Sequence, residues 1–192
     1  EDARHPKEVI YTRNLLDDLK RRDFTMNTMA YNEQVGLVDK FDGLEDLKRG
    51  MIRCVGNPKE RFSEDALRIL RAIRFAAQLG FTIEDETKKA ITTLAPNLIK
   101  VSAERIQVEL IKLVTSDYPQ EMKTLYETGV SQVILPEWDK MMETTQQNPH
   151  HSYTVGEHSI KAMLEEPEDK VLRLTMLLHD VAKPECKTVD DE

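Results

Sequence analysis

The sequence predicts an α+β chain that is mostly α. Short runs of β-branched and aromatic residues are confined to residues 1–60. From residue 61 onward apolar residues recur at helical spacing, with caps and stops between the repeats. Only 7 Gly occur in 192 residues, too few for a turn-rich all-β protein. The composition, 40% apolar and 32% charged, is that of a globular chain rather than a disordered one.

Texture divides the chain into residues 1–60, 61–145 and 146–192. In the first region VIYT (9–12), QVGLVDKF (34–41) and MIRCV (51–55) are strand candidates, with a turn at Asp42-Gly43. NLLDDLKRRDFTMNTMAY, between the first two, reads as helical segments. The second region reads as consecutive helices. Ser63 caps a helix over 64–79, with Glu64 and Asp65 in its first turn and Gly80 as its left-handed terminator. Further helices follow at 84–94, after Ser102, and at 119–128, and Pro136 breaks what comes next. In the third region, helices at 154–165 and 168–182 follow a polar loop, and Pro184 stops the last.

No apolar run reaches the roughly 18 residues of a membrane span, and EDARHPKEVI has no signal-peptide core. Cys54 and Cys186 lie far apart and match no metal spacing, which suits reduced thiols in a cytoplasmic protein. The net charge of −8 weighs against a nucleic-acid partner. Locally the balance differs: Lys20, Arg21 and Arg22 are consecutive, and Arg61, Arg68, Arg71 and Arg74 are clustered, so a basic cleft can coexist with acidic surface.

On the 64–79 helix, Ala66, Ile69, Leu70, Ile73, Ala76 and Ala77 share one core-facing arc. Asp65, Arg68, Arg71 and Arg74 recur every third residue on the other side. Guanidiniums so close repel one another unless a polyanion or carboxylates lie against them. A nucleoside triphosphate fits, because the guanidinium fork donates paired hydrogen bonds to phosphate. An Asp beside an Arg also offers the acceptors and donors that read a base edge. The alternative is a solvated helix face with ion pairs.

RRDFTMNTMAY (21–31) resembles the RRDxxxN motif of the class II tRNA nucleotidyltransferases, the CCA-adding and poly(A) polymerase family. ERFSEDALRILRAIRFAAQLGF (60–81) resembles that family's EDxxRxxRxxRFA motif, and VSAERIQVEL (101–110) its ERxxxEL motif. DKFDGLEDLKRGMIRCVGNP (39–58) resembles the connector from palm to neck. Four motifs in order make a specific match. The resemblance implies part of a palm over 1–60 and a helical neck and body over 61–145. Arg22 would bind the triphosphate, and Asp23 and Asn27 would shape the pocket. Asp65 and Arg68 would pair with the incoming CTP or ATP base, while Arg71 and Arg74 hold phosphates. Glu104 and Arg105 would brace the turn behind. For Arg74 the alternative is an ion pair with an acid at the core edge, and Arg21 reads as a solvent-exposed charge.

The family's activity is addition of CMP and AMP to tRNA 3′ ends, with A-only or poly(A) addition as variants sharing these motifs. Nucleotidyl transfer needs Mg²⁺, which the family holds with a DxD pair upstream of RRD. Nothing upstream of Arg21 matches, so a truncated chain unable to add nucleotides alone is expected. YTVGEHSIKAM (153–163) and RLTMLLHDVAKP (173–184) resemble the opening of an HD domain. That resemblance implies a divalent-metal site at His158, His179 and Asp180, lacking a later Asp. The alternatives there are a helical tail with locally bonded histidines or an HD phosphohydrolase. A purely RNA-binding helical module is a further alternative for the whole. His150 and His151 read as surface residues.

Overall fold

The computed structural model describes residues 14–145 and 153–186. VIYT (9–12), His150, His151 and the acidic C-terminus lie outside the described residues. The first region comprises α1 (Leu15–Lys20), a 3-10 turn at Thr25–Asn27, and an antiparallel hairpin of β1 (Ala30–Asn32) and β2 (Gly36–Val38), in which Tyr31 faces Leu37. The strand expected at 34–41 is thus three residues long, and its partner falls where a helical segment was expected. Its Ala30-Tyr31 pair is satisfied by ladder hydrogen bonds that propensity does not foresee.

α2 (Gly43–Arg49) follows a left-handed Asp42, φ 60°, where a simple turn was expected. The Asp39 carboxylate takes the N–H groups of Gly43 (2.9 Å) and Leu44 (2.8 Å), which starts the helix. β3 (Met51–Ile52) pairs in parallel with β4 (Thr82–Ile83), which ties the segment after α2 to the one that follows Gly80.

Where one helix was expected over 64–79, the structure has two. α3 (Pro58–Glu64) begins with Asn57, whose side chain accepts from Lys59 N–H, and with Pro58 in the first turn. Ser63 therefore lies inside α3 and caps nothing. Asp65 is extended (φ −147°, ψ 103°) and breaks the helix. Its Oδ1 accepts from Leu67 N–H at 3.1 Å, at the head of α4 (Leu67–Leu79). Gly80, φ 66°, ends α4 as the sequence predicts.

α4 is the axis of the molecule: Leu67, Ile69, Leu70, Ala72, Ile73, Ala76 and Ala77 are all buried. It packs on α6 (Ala103–Val114), while α3 packs on α5 (Asp85–Leu94). Each fully buried Ile or Leu contributes about 1.5–3 kcal/mol relative to exposure. α7 (Met122–Glu127), α8 (Val130–Ile134) and α9 (Pro136–Glu143) complete the body. Pro136 opens α9 instead of only breaking what precedes it, because proline suits a helix's first turn. Trp138 is fully buried and its Nε1–H donates to the Met122 carbonyl at 3.0 Å.

In the third region α10 (Val155–Glu165) opens with a capping box of Thr154 and Glu157, and α11 (Lys170–Leu178) is capped by Asp169. Pro184 sits within a short α12 (Lys183–Cys186) rather than stopping α11. One apolar core runs from Phe24 to Leu177 and joins all three regions. No helix among the described residues is long and apolar enough to cross a membrane.

Candidate functional site

The break at Asp65 aims that residue at the turn after α1. Between them lies a cleft of about 810 Å³, lined by Arg21, Arg22, Asp23, Met26, Asn27, Met29, Asp65, Leu67, Arg68, Arg71, Phe75 and Arg105. Six of the seven residues assigned to nucleotide binding from sequence meet here. Five arginines face two aspartates, so the cleft is positive although the chain is acidic.

Asp23 organises one wall. Its Oδ1 accepts from Phe24 N–H and from Asn27 Nδ2, both at 3.0 Å. Its Oδ2 accepts from Arg71 Nε at 2.7 Å and Arg71 Nη2 at 2.6 Å. Burial pushes this carboxyl's pKa up, but the Asn27 hydrogen bond, the Arg71 charge and the Phe24 N–H outweigh it and hold it below the usual carboxylate range. Arg22 stands exposed beside it, donating to the Asn27 carbonyl at 2.8 Å. Phe75 stacks edge-on against Phe24 and lies under the Arg71 guanidinium, 5.4 Å from its centroid.

The opposite wall carries Asp65 and Arg68. Asp65 Oδ2 accepts from Arg105 Nη2 at 2.9 Å while Oδ1 caps α4, so the carboxylate is fixed from both sides. Arg68 donates to Glu64 Oε2 (2.9 Å), to the Arg61 carbonyl (3.2 Å) and to the Arg21 carbonyl (3.0 Å). One Nη2 hydrogen and the Nε–H are left over.

Arg74 is elsewhere. It is buried, donates from Nε to Glu109 Oε2 at 2.9 Å and from Nη1 to Gln78 Oε1 at 2.6 Å, and stacks 3.7 Å from the Phe75 centroid. Arg68, Arg71 and Arg74 all lie on the unbroken α4, where each three-residue step drifts back about 60°, and that drift carries Arg74 past the cleft. The core-edge ion pair is the arrangement found. Glu104 is exposed in the first turn of α6 and does not line the cleft. Arg21, read from sequence as a solvent-exposed charge, is exposed, and it also lines the rim of the cleft and lends its carbonyl to Arg68. Met26, Met29 and Leu67 add apolar wall that no motif announced.

Neither cleft carboxylate suits a catalytic metal pair. Asp23 is tied to Arg71 and Asp65 to Arg105, so the described residues do not fit Mg²⁺ in this cleft. The only His/Cys/Asp/Glu cluster with metal-ligand spacing among the described residues is His158, His179 and Asp180, with ligand atoms within 4.8 Å of one another. His179 Nε2 lies 3.2 Å and His158 Nε2 3.8 Å from Asp180 Oδ2. His179 Nδ1 meets the Met176 carbonyl at 2.8 Å, which holds the ring with Nε2 turned towards Asp180. Lys183 Nζ also holds Asp180 Oδ2, at 2.7 Å.

Residues 1–53 match the poly A polymerase head domain, and residues 80–142 match the probable RNA and SrmB-binding site of polymerase A. A CCA-adding enzyme from Leuconostoc mesenteroides subsp. mesenteroides is 43% identical over 160 residues, 81% of this chain and 40% of that protein. The chain belongs to the CCA-adding tRNA nucleotidyltransferase family. Among solved structures, the Bacillus stearothermophilus CCA-adding enzyme in complex with CTP matches with a TM-score of 0.65 at 40% identity, over 68% of this chain and 34% of that one. A tRNA nucleotidyltransferase complexed with a primer tRNA and an incoming ATP analog matches with a TM-score of 0.66 at 27% identity, over 91% of this chain and 53% of that one. The chain thus spans about two fifths of the Leuconostoc protein.

Proposed function

We propose that this chain supplies the nucleotide-selecting cleft of a CCA-adding tRNA nucleotidyltransferase, which adds CMP and AMP from CTP and ATP to tRNA 3′ ends. The observation that carries the reading is Asp65 and Arg68 side by side at the helix break, facing Arg22, Asp23 and Asn27 across the cleft. Cytosine and adenine each present an amino donor beside a ring-nitrogen acceptor. A carboxylate next to a guanidinium meets both with one acceptor and one donor. Uracil and guanine present a carbonyl beside an N–H, which sets acceptor against acceptor and donor against donor. Each such buried mismatch costs about 1–3 kcal/mol. Asp65 keeps lone pairs and Arg68 keeps N–H groups beyond those their protein partners use, so both remain able to meet a base. Arg22 and Arg71 are suited to the triphosphate. The divalent metal that nucleotidyl transfer uses is not assigned to any described residue.

The test offers the complete protein tRNA transcripts ending before CCA, after C and after CC, with each nucleotide singly. The expected result is C, C, then A, and then a stop, abolished by Asp65→Ala or Arg68→Ala. Addition of A only to the CC end, or long A tails, would reassign the activity within the family. No addition with any nucleotide would reject the reading.

A second reading concerns the third region. The cluster of His158, His179 and Asp180 favours a divalent cation held by imidazole and carboxylate, as the HD resemblance implies. Zn²⁺ or Mn²⁺ titration by calorimetry, with His179→Ala as comparison, tests it. Identical heats for the two proteins would reject the site.

A further inference from the structure

α1 is six residues long, and its last carbonyls would be orphaned at its C-terminal end. Two arginines from the neck take them. Arg61 Nη1 donates to the Lys20 carbonyl at 3.0 Å, and Arg68 Nη2 donates to the Arg21 carbonyl at 3.0 Å. Cations at this end also oppose the helix dipole. Glu64 joins the two arginines, one carboxylate oxygen accepting from Arg61 and the other from Arg68 at 2.9 Å. The Arg61 carbonyl in turn accepts from Arg68 Nη1 at 3.2 Å. Both guanidinium-bearing side chains are largely shielded, at 17% and 18% exposure.

The backbone leaving these carbonyls runs directly into Arg22, Asp23 and Asn27, the opposite wall of the cleft. Any slip of the Lys20–Arg21 turn would therefore change the separation between the base-reading pair and the phosphate side. Arg61 itself does not line the cleft. We propose that Arg61 is a positioning residue that locks Arg68, through Glu64, to the Lys20–Arg21 turn and so sets the spacing at which a nucleotide is read. The inference rests on the nucleotide-selecting function proposed above. Arginine is required because its planar fork reaches a carbonyl and a carboxylate at once, whereas a lysine ammonium has no such fixed fork.

The experiment compares Arg61→Lys and Arg61→Ala with wild type in the complete protein. It measures KM and kcat for CTP and ATP, the preference for CTP over UTP, KM for tRNA, and the melting temperature. Arg61→Lys is expected to keep the melting temperature near wild type. Its KM for both nucleotides should rise roughly tenfold, the scale of one lost charge-assisted hydrogen bond, and the preference for CTP over UTP should fall by a similar factor. KM for tRNA should not move. Arg61→Ala should shift the same quantities further. If it does not fold, Arg61→Lys and Arg61→Gln decide. Lower melting temperature with unchanged nucleotide KM and unchanged preference would mean a merely structural role and overturn the proposal. An active wild type with an unaffected Arg61→Lys overturns this inference alone, whereas a wild type inactive with every nucleotide overturns the nucleotidyltransferase reading together with it.

Discussion

Replacing Glu109 by Ala should destabilise the protein without touching nucleotide selection. The Arg74 and Glu109 side chains are 8% and 6% exposed and meet at 2.9 Å. Removing one member of such a pair leaves an uncompensated buried charge, a change that costs about 3–5 kcal/mol. Two contacts soften the loss here: Gln78 Oε1 at 2.6 Å still accepts from Arg74, and the Phe75 face still lies under the guanidinium. Lys112, 4.0 Å from Glu109 and half exposed, adds little. The expected cost is therefore about 3 kcal/mol, at the lower end of that range, which would lower a urea midpoint by roughly 1–2 M. In the double variant Arg74→Met with Glu109→Leu, no charge is stranded, and most of the lost stability should return. Urea denaturation of the wild type, Arg74→Met, Glu109→Leu and the double variant closes the cycle, with Glu109→Ala run beside them and CTP binding by each measured alongside. A cost below about 1 kcal/mol for Glu109→Ala, or a double variant no better than the single, would refute the buried pair. A double variant that folds but loses CTP affinity would return Arg74 to the nucleotide site.

Native protein treated with iodoacetamide should be labelled at Cys186 and not at Cys54, as read by peptide mass. Burial, with the nearby Asp23 charge second, pushes the Cys54 thiol up to about 12, so almost no thiolate forms. The Asp23 carboxyl has a depressed pKa when folded, so its pairing adds stability that is full above the unfolded value, about 3.9, and is lost as pH falls through the folded value below it. Chemical denaturation at stepped pH should show a constant gap between wild type and Asp23→Asn from pH 7 to about pH 5, closing only under stronger acid. Gly80→Ala should lower the melting temperature. A Cβ there stands 2.7 Å from a Tyr118 ring carbon, and φ is +66°. The left-handed backbone alone costs about 1–2 kcal/mol, and adding Tyr118→Ala should relieve only the clash.

The helical body was legible because its signals are local: the apolar spacing of Ile69, Leu70, Ile73, Ala76 and Ala77, and a glycine where α4 must end. The short strands were less so. MIRCV (51–55) was read as a strand and Met51–Ile52 form one, but its partner Thr82–Ile83 was not foreseen, because propensity carries no record of such a distant pairing. The cleft was legible through three of the four motifs, yet its geometry was not. A row at every third residue describes one unbroken helix, whereas Asn57-Pro58 starts a separate one and Asp65 interrupts it. Asp65 is thereby set apart from the row, while Arg74, on the same unbroken α4 as Arg68 and Arg71, leaves the cleft through the angular drift of a three-residue step. Arg21 was left out of the site because its contribution there includes a backbone carbonyl, which every residue owns and no pattern distinguishes.

The break at Asp65 also explains why a carboxylate, and not merely a polar group, stands there. Within a helix, its side chain could compete with the backbone or face solvent, but not cap the next helix. In the extended conformation Oδ1 accepts from Leu67 N–H and Oδ2 from Arg105 Nη2, so both oxygens must be acceptors. Asp65→Asn tests this directly, because an amide can satisfy only one of the two. If its oxygen keeps the Leu67 cap, its NH₂ points donor against donor at Arg105. If it flips, the cap is lost. Either way the expected loss is about 1–3 kcal/mol of stability. The group offered to the base also changes from acceptor to donor wherever the NH₂ is presented, so selectivity for CTP over UTP should fall in the same variant. Asp65→Glu keeps two acceptors but lengthens the arm, and should keep preference better than it keeps rate. An Asp65→Asn protein with wild-type stability and wild-type preference would show that the carboxylate neither caps α4 nor reads the base.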